Sequence, residues 1–145
     1  MKPKMSVAEL TAFMAQEFPQ VAGDFIIEAA APMQLRMRLK VAERHLRPGG
    51  TVSGPAIFAL ADVAMYLAVL SMIGPEALAV TTNCSIDFMR KPSPGADLIA
   101  EVRLLKLGRV LAVGDVQVRS DGAEPLLARA SLTYSIPPAA PVCGT

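Results

Sequence analysis

Fourteen Lys and Arg against thirteen Asp and Glu leave this 145-residue chain with a net charge of +1, so no global field draws it to nucleic acid or to acidic partners. Aromatic residues are scarce and Trp is absent, which argues against a base-stacking platform, while the length suits a single domain over residues 1–145 with a real core. Cys84 in a strand-like run and Cys143 in a proline-rich tail suggest neither a disulfide framework nor a zinc site, and fit a reducing cytoplasm.

Met1-Lys2-Pro3-Lys4 lacks the apolar core of a signal peptide. Ser6-Val7-Ala8-Glu9 is a capping-box signature. Val7, Leu10, Phe13, Met14 and Phe18 follow at helical spacing until Pro19, within an N-terminal helical segment that reaches residue 22. A strand is expected from Phe25 to Ala29. Gln34 to Val41 then alternates, with Leu35, Met37, Leu39 and Val41 on one face and Gln34, Arg36, Arg38 and Lys40 on the other. That basic row reads as the wet side of a strand.

A loop rich in Pro and Gly at 43–53 leads into about five turns of helix, residues 54–73, stopped by Gly74-Pro75. The helix is apolar almost all round, hence buried on most sides. Its one charge is Asp62, and a carboxylate in such surroundings must be paired, neutralised or used. The run is long enough to be weighed as a membrane span, but Asp62 near its middle and the amphipathic strands around it argue for no membrane. An apolar fraction of 52% points to extra buried surface at an oligomer interface.

Residues 77–89 alternate again. Leu78, Val80, Thr82, Cys84, Ile86 and Phe88 share one face; Thr81, Asn83, Ser85 and Asp87 share the other, as a solvated row or the lining of a groove. Arg90 to Gly95 is too proline-rich for a central strand. Strands follow at 97–107, 109–119 and 125–136, with turns at Gly108 and at Asp121-Gly122, and the tail 137–145 reads as flexible. Long hairpin-linked strands around one helix imply an α+β fold with an antiparallel sheet.

His45-Leu46-Arg47-Pro48-Gly49-Gly50-Thr51-Val52-Ser53-Gly54-Pro55, then Leu60-Ala61-Asp62, resembles without a gap the motif H-x-N-x-x-G-x-x-H-G-G plus L-x-D of the hotdog-fold acyl-CoA thioesterases. The likeness is to the phenylacetate-pathway (PaaI-like) branch of the 4-hydroxybenzoyl-CoA thioesterase superfamily and covers roughly residues 35–136. It implies a hotdog fold, about six antiparallel strands wrapped around the long helix. It further implies a homodimer whose strands 77–89 pair edge to edge, and allows two such dimers to form a homotetramer. The implied substrate is an acyl-CoA, with no metal and no cofactor beyond the coenzyme A of the substrate.

The family's carboxylate, nucleophile or general base, matches Asp62, and the helix-start glycine whose N–H polarises the thioester carbonyl matches Gly54. The hydroxyl residue that assists the attacking water matches Thr81, with Asn83 beside it on the same expected face. Three positions depart from the pattern. Arg47 replaces Asn and is expected either to pair with Asp62 or to contact the ligand. Ser53 replaces the second His, as a helix cap or a substrate contact. Pro55 replaces a glycine at a helical position that tolerates proline. Arg90, Lys91 and Arg109 are the candidate contacts to coenzyme A phosphates.

His45, the only histidine, lacks a nearby partner in sequence and is read as structural. Met33, Met37, Met65, Met72 and Met89 are read as core, interface or a pliable acyl pocket, for which Phe58 and Tyr66 are further candidates. Two alternatives stay open: a non-catalytic acyl-CoA-binding protein, and a hotdog hydratase or dehydratase. The latter ranks last because His45 lies ahead of the long helix.

Overall fold

A computed structural model describes residues 2–138; of the tail expected to be flexible, 139–145 lie outside the described residues. Helix α1 (Val7–Glu17) starts as its capping box dictates. The Ser6 hydroxyl accepts from the Glu9 N–H at 3.1 Å and the Glu9 carboxylate accepts from the Ser6 N–H at 3.0 Å. Pro19 ends α1 and at the same time begins a short helix, α2 (Pro19–Ala22), where its missing N–H costs nothing.

Six strands follow: β1 (Phe25–Ala31), β2 (Gln34–Leu39), β3 (Val80–Phe88), β4 (Leu98–Leu107), β5 (Leu111–Ser120) and β6 (Ala128–Ser135). The long helix α3 (Gly54–Ile73) separates β2 from β3. All pairings are antiparallel and the sheet order is β1-β2-β4-β5-β6-β3. The sheet curls around α3, whose residues from Val63 to Met72 are all buried among Leu35, Met37, Leu98, Val116, Val118 and Leu132. This is the hotdog arrangement, α+β in class.

Several expected ends move: β1 runs to Ala31 rather than Ala29, β3 covers Val80–Phe88 within the expected 77–89, and two further shifts have a visible cause. β2 stops at Leu39 rather than Val41, because the Val41 N–H donates to the Asp97 carboxylate at 3.0 Å and the Lys40 N–H to the Asp24 carbonyl at 2.9 Å, which takes both donors off the ladder. β5 and β6 are joined by 121–127 rather than by a tight Asp121-Gly122 hairpin. The Leu127 N–H donates to the Val118 carbonyl at 2.8 Å and closes that connection.

By length and composition α3 is able to cross a membrane, yet 67% of its most apolar window is buried against the sheet. Its first half is uncovered along Pro55, Phe58, Ala59 and Asp62, one helical stripe of period 3.6. Met37, Met65 and Met72 are core, whereas Met89 is exposed.

Where the helix crosses β5 the fit is tight. A Cβ built on Gly114 would lie 2.6 Å from the Met65 Sδ and 3.2 Å from the Arg103 carbonyl. Met65 is fully buried and the carbonyl belongs to a paired strand, so neither yields freely. Gly114→Ala is therefore expected to destabilise the fold by about 1–3 kcal/mol through overpacking. A thermal melt should show a loss of roughly 2–4 °C per kcal/mol for a chain of this size.

Candidate active site

Asp62 sits where the uncovered stripe of α3 meets the start of β3 and the end of β6. The Thr81 hydroxyl donates to Asp62 Oδ1 at 2.5 Å. The Tyr134 hydroxyl donates to the same oxygen at 2.8 Å and lies 3.1 Å from the Asp62 backbone carbonyl. Burial first, then the Asp62 charge, pushes the Tyr134 phenol far above its usual range, so it stands as a donor. Among the described residues no side chain donates to Oδ2 and no cation pairs with this carboxylate.

Thr81 reaches Asp62 because β3 carries a bulge. Val80 to Thr81 pairs with Ser135 to Tyr134, but Asn83 pairs with Thr133, so Thr82 is the extra residue. Directly opposed residues share a face, which puts Thr81 with Tyr134 on the helix side. Cys84, Ile86 and Phe88 share that side, while Asn83, Ser85 and Asp87 face outward. The expectation that Thr81 and Asn83 share a face is thus corrected. A period of two holds only while no residue is inserted, and Asn83 ends exposed, away from Asp62.

The cavity at Asp62 has a volume of about 510 Å³. Thr81, Tyr134, Val63 and Tyr66 line it together with Glu17, Phe18 and Gln20, so the N-terminal segment is part of the site. The Tyr66 hydroxyl donates to the Ala77 carbonyl at 3.1 Å, and its ring centroid stands 6.2 Å from that of Tyr134. Phe58 and Met65 do not line this cavity: Phe58 is on the uncovered stripe, and Met65 points into the core.

Gly54 opens elsewhere. It is the first residue of α3, after the N-cap Ser53, whose side chain accepts from the Ala56 N–H at 3.2 Å. The Gly54 N–H donates to no group among the described residues, as expected for the first turn of a helix, and lies at its positive end. With Arg47, Phe88, Met89, Arg90 and Lys91 it lines a second cleft of about 480 Å³. Arg47 therefore stands with Gly54 and does not pair with Asp62. Arg90 also donates to the Leu126 carbonyl at 2.9 Å, tying the cleft to the β5–β6 connection. Arg109 is in neither cavity; it borders a groove of about 1150 Å³ with Lys2, Lys4 and Lys106 at the far end of α3.

His45 holds the loop ahead of the helix. Its Nδ1 accepts from the Ala42 N–H at 2.9 Å, its Nε2 faces Asp24 at 3.4 Å, and its carbonyl accepts from the Ser53 N–H at 2.8 Å. Burial, then the Arg44 charge, lowers its affinity for a proton, which suits a neutral ring used for structure.

Sequence reading missed Tyr134. Nothing local distinguishes it from any aromatic residue at a buried strand position, and only the register opposite Thr81 reveals its role.

A family model described as the thioesterase superfamily matches residues 49–126. A solved structure from Silicibacter sp. TM1040, provisionally called a thioesterase, is 57% identical, with a TM-score of 0.89 over 95% of this chain and 96% of that one. The phenylacetic acid degradation protein PaaI of Thermus thermophilus, solved as a point mutant, is 30% identical, with a TM-score of 0.71 over 82% of this chain and 99% of that one. Human acyl-coenzyme A thioesterase 13 is 28% identical over 115 residues, 79% of this chain and 81% of that protein.

Proposed function

The chain belongs to the thioesterase superfamily and is a thioester hydrolase, and from that premise we propose that its substrate is an acyl-CoA with a small aromatic or a short to medium acyl group. The single observation that carries this reading is the chemical contrast between the two cavities. One offers the Asp62 carboxylate in a largely apolar lining that also includes Glu17 and Gln20; the other offers three cations beside a free helix-start N–H. An acyl group suits the first, and the phosphates of coenzyme A suit Arg47, Arg90 and Lys91 in the second. The name of the human relative points to the same substrate class.

Asp62 and Gly54 are eight residues apart on one helix, about 12 Å along its axis, and open to different cavities. One thioester meets both only if they come from two copies of the chain. The proposed unit is thus a homodimer, and the reading allows two such dimers to pair into a tetramer. Support comes from apolar side chains left open: Phe58 on α3, with Val80 and Phe88 of the edge strand β3 and Met89 just after it at 55%, 52% and 44% exposure.

In the proposed step Gly54 of one copy donates its N–H to the thioester carbonyl. Oδ2 of Asp62 in the other takes a proton from water as the water oxygen bonds to the carbonyl carbon. Collapse breaks the C–S bond, protonated Asp62 gives its proton to the departing thiolate and returns to the carboxylate, and free acid and coenzyme A leave. No metal or further cofactor enters this step, and we place the protein in the cytoplasm. Ser53 already serves as the cap, and Arg109 lies outside both cavities, so neither is assigned a substrate contact within one chain.

The test is thiol release from a panel of acyl-CoAs. Turnover of aryl or short to medium acyl esters is expected. Saturable coenzyme A binding with no thiol released from any ester would instead favour the non-catalytic binding protein.

A further inference from the structure

We infer that Tyr134 is a positioning residue for the hydrolysis, acting through Asp62 by fixing which carboxylate oxygen is left to react. The inference rests on the reading of Asp62 as the reactive carboxylate. Tyr134 is 3% exposed, and a buried phenol needs an acceptor. The Asp62 backbone carbonyl at 3.1 Å would satisfy it, yet the closer acceptor, at 2.8 Å, is the carboxylate oxygen Oδ1. Thr81 donates to that same oxygen from the opposite strand. Two donors from a directly opposed cross-strand pair therefore converge on Oδ1 and leave Oδ2, which no described side chain engages, as the free oxygen of a carboxylate that lines the cavity.

The β3 bulge belongs to the same device. Without the extra residue at Thr82, Thr81 would face outward with Asn83, and one of the two donors would be missing. The phenol is held in turn by the Tyr66 ring, so its hydroxyl has little freedom to swing away. A carboxylate clamped on one oxygen by two short hydrogen bonds loses its rotational freedom before substrate arrives, which is how a neighbouring group contributes to rate without touching the reacting atoms.

Tyr134→Phe keeps the ring and its packing and removes one oxygen. Expected is a fall in kcat of roughly 10- to 100-fold, the range for losing a hydrogen bond to a charged group, with KM close to that of the natural protein. The discriminating measurement is the double variant. Added to Asp62→Asn, Tyr134→Phe is expected to lower the residual rate no further, because its effect passes through the carboxylate. A kcat in Tyr134→Phe equal to that of the natural protein overturns the inference, and so does an equal fold-loss in the Asp62→Asn background. A deep loss in Asp62→Asn with none in Tyr134→Phe overturns this inference alone, whereas full activity in Asp62→Asn brings down the reading of the site and this inference with it.

Discussion

Asp62→Asn is expected to lower kcat for thiol release by about 10²- to 10⁴-fold, the contribution of a positioned general acid–base group. KM and the melting temperature should stay close to those of the natural protein. The amide keeps the carboxylate's shape, and its oxygen still accepts from Thr81 and Tyr134 in the place of Oδ1. What it cannot do is take a proton or attack a carbonyl from the Oδ2 position. The loss therefore falls on the chemical step, and steady-state kinetics with the best ester of the panel reads it directly. If the variant instead turned over at the natural rate, Asp62 would be no more than the acceptor that satisfies the Thr81 and Tyr134 hydroxyls. If the natural protein released no thiol while both proteins bound coenzyme A, the binding-protein reading would lead.

The second large effect is expected at Gly54. Gly54→Pro deletes the N–H proposed to hold the developing oxyanion and should lower kcat by about 10²- to 10³-fold, the usual consequence of losing one such donor. Proline is well tolerated at a first helical position, and this N–H serves no bond within the helix. The residue before it is also ready. Ser53 has φ −74° and ψ 156°, the extended conformation that a following proline demands. Gly54→Ala is the matched control. It retains the N–H, and its Cβ meets nothing closer than the Phe88 ring at 3.6 Å, an ordinary contact. Most of the activity should survive in the alanine variant and be lost in the proline variant, with similar melting temperatures in both. Equal activity in the two would remove Gly54 from the mechanism.

Much of the fold was legible from local chemistry. The Ser6–Glu9 box starts α1, and the span of α3 follows from Ser53 before it and from Gly74 after it, whose φ of 99° only glycine adopts easily. Strand alternation foretold the buried faces of β2 and of β3 beyond Thr82, because side chains on a regular strand have no choice of face. The motif placed Asp62 and Gly54 at definite points on one helix. All of these features are set within a few residues of where they are read.

Tertiary structure alone decided the rest, since it depends on which distant backbone supplies the partner. Thr82 is an ordinary strand residue until Thr133 and Tyr134 impose the register that bulges it out and turns Thr81 toward Asp62. Tyr134 joins the site through that same register. Arg47 faces Gly54 rather than Asp62, and Arg109 parts from Arg90 and Lys91, because the loops that carry them close at different ends of the sheet. The sequence by itself determined the helix, its carboxylate and the strands that wrap it. Only long-range pairing, which no local period encodes, decided which side chains hold that carboxylate and which oxygen they leave free.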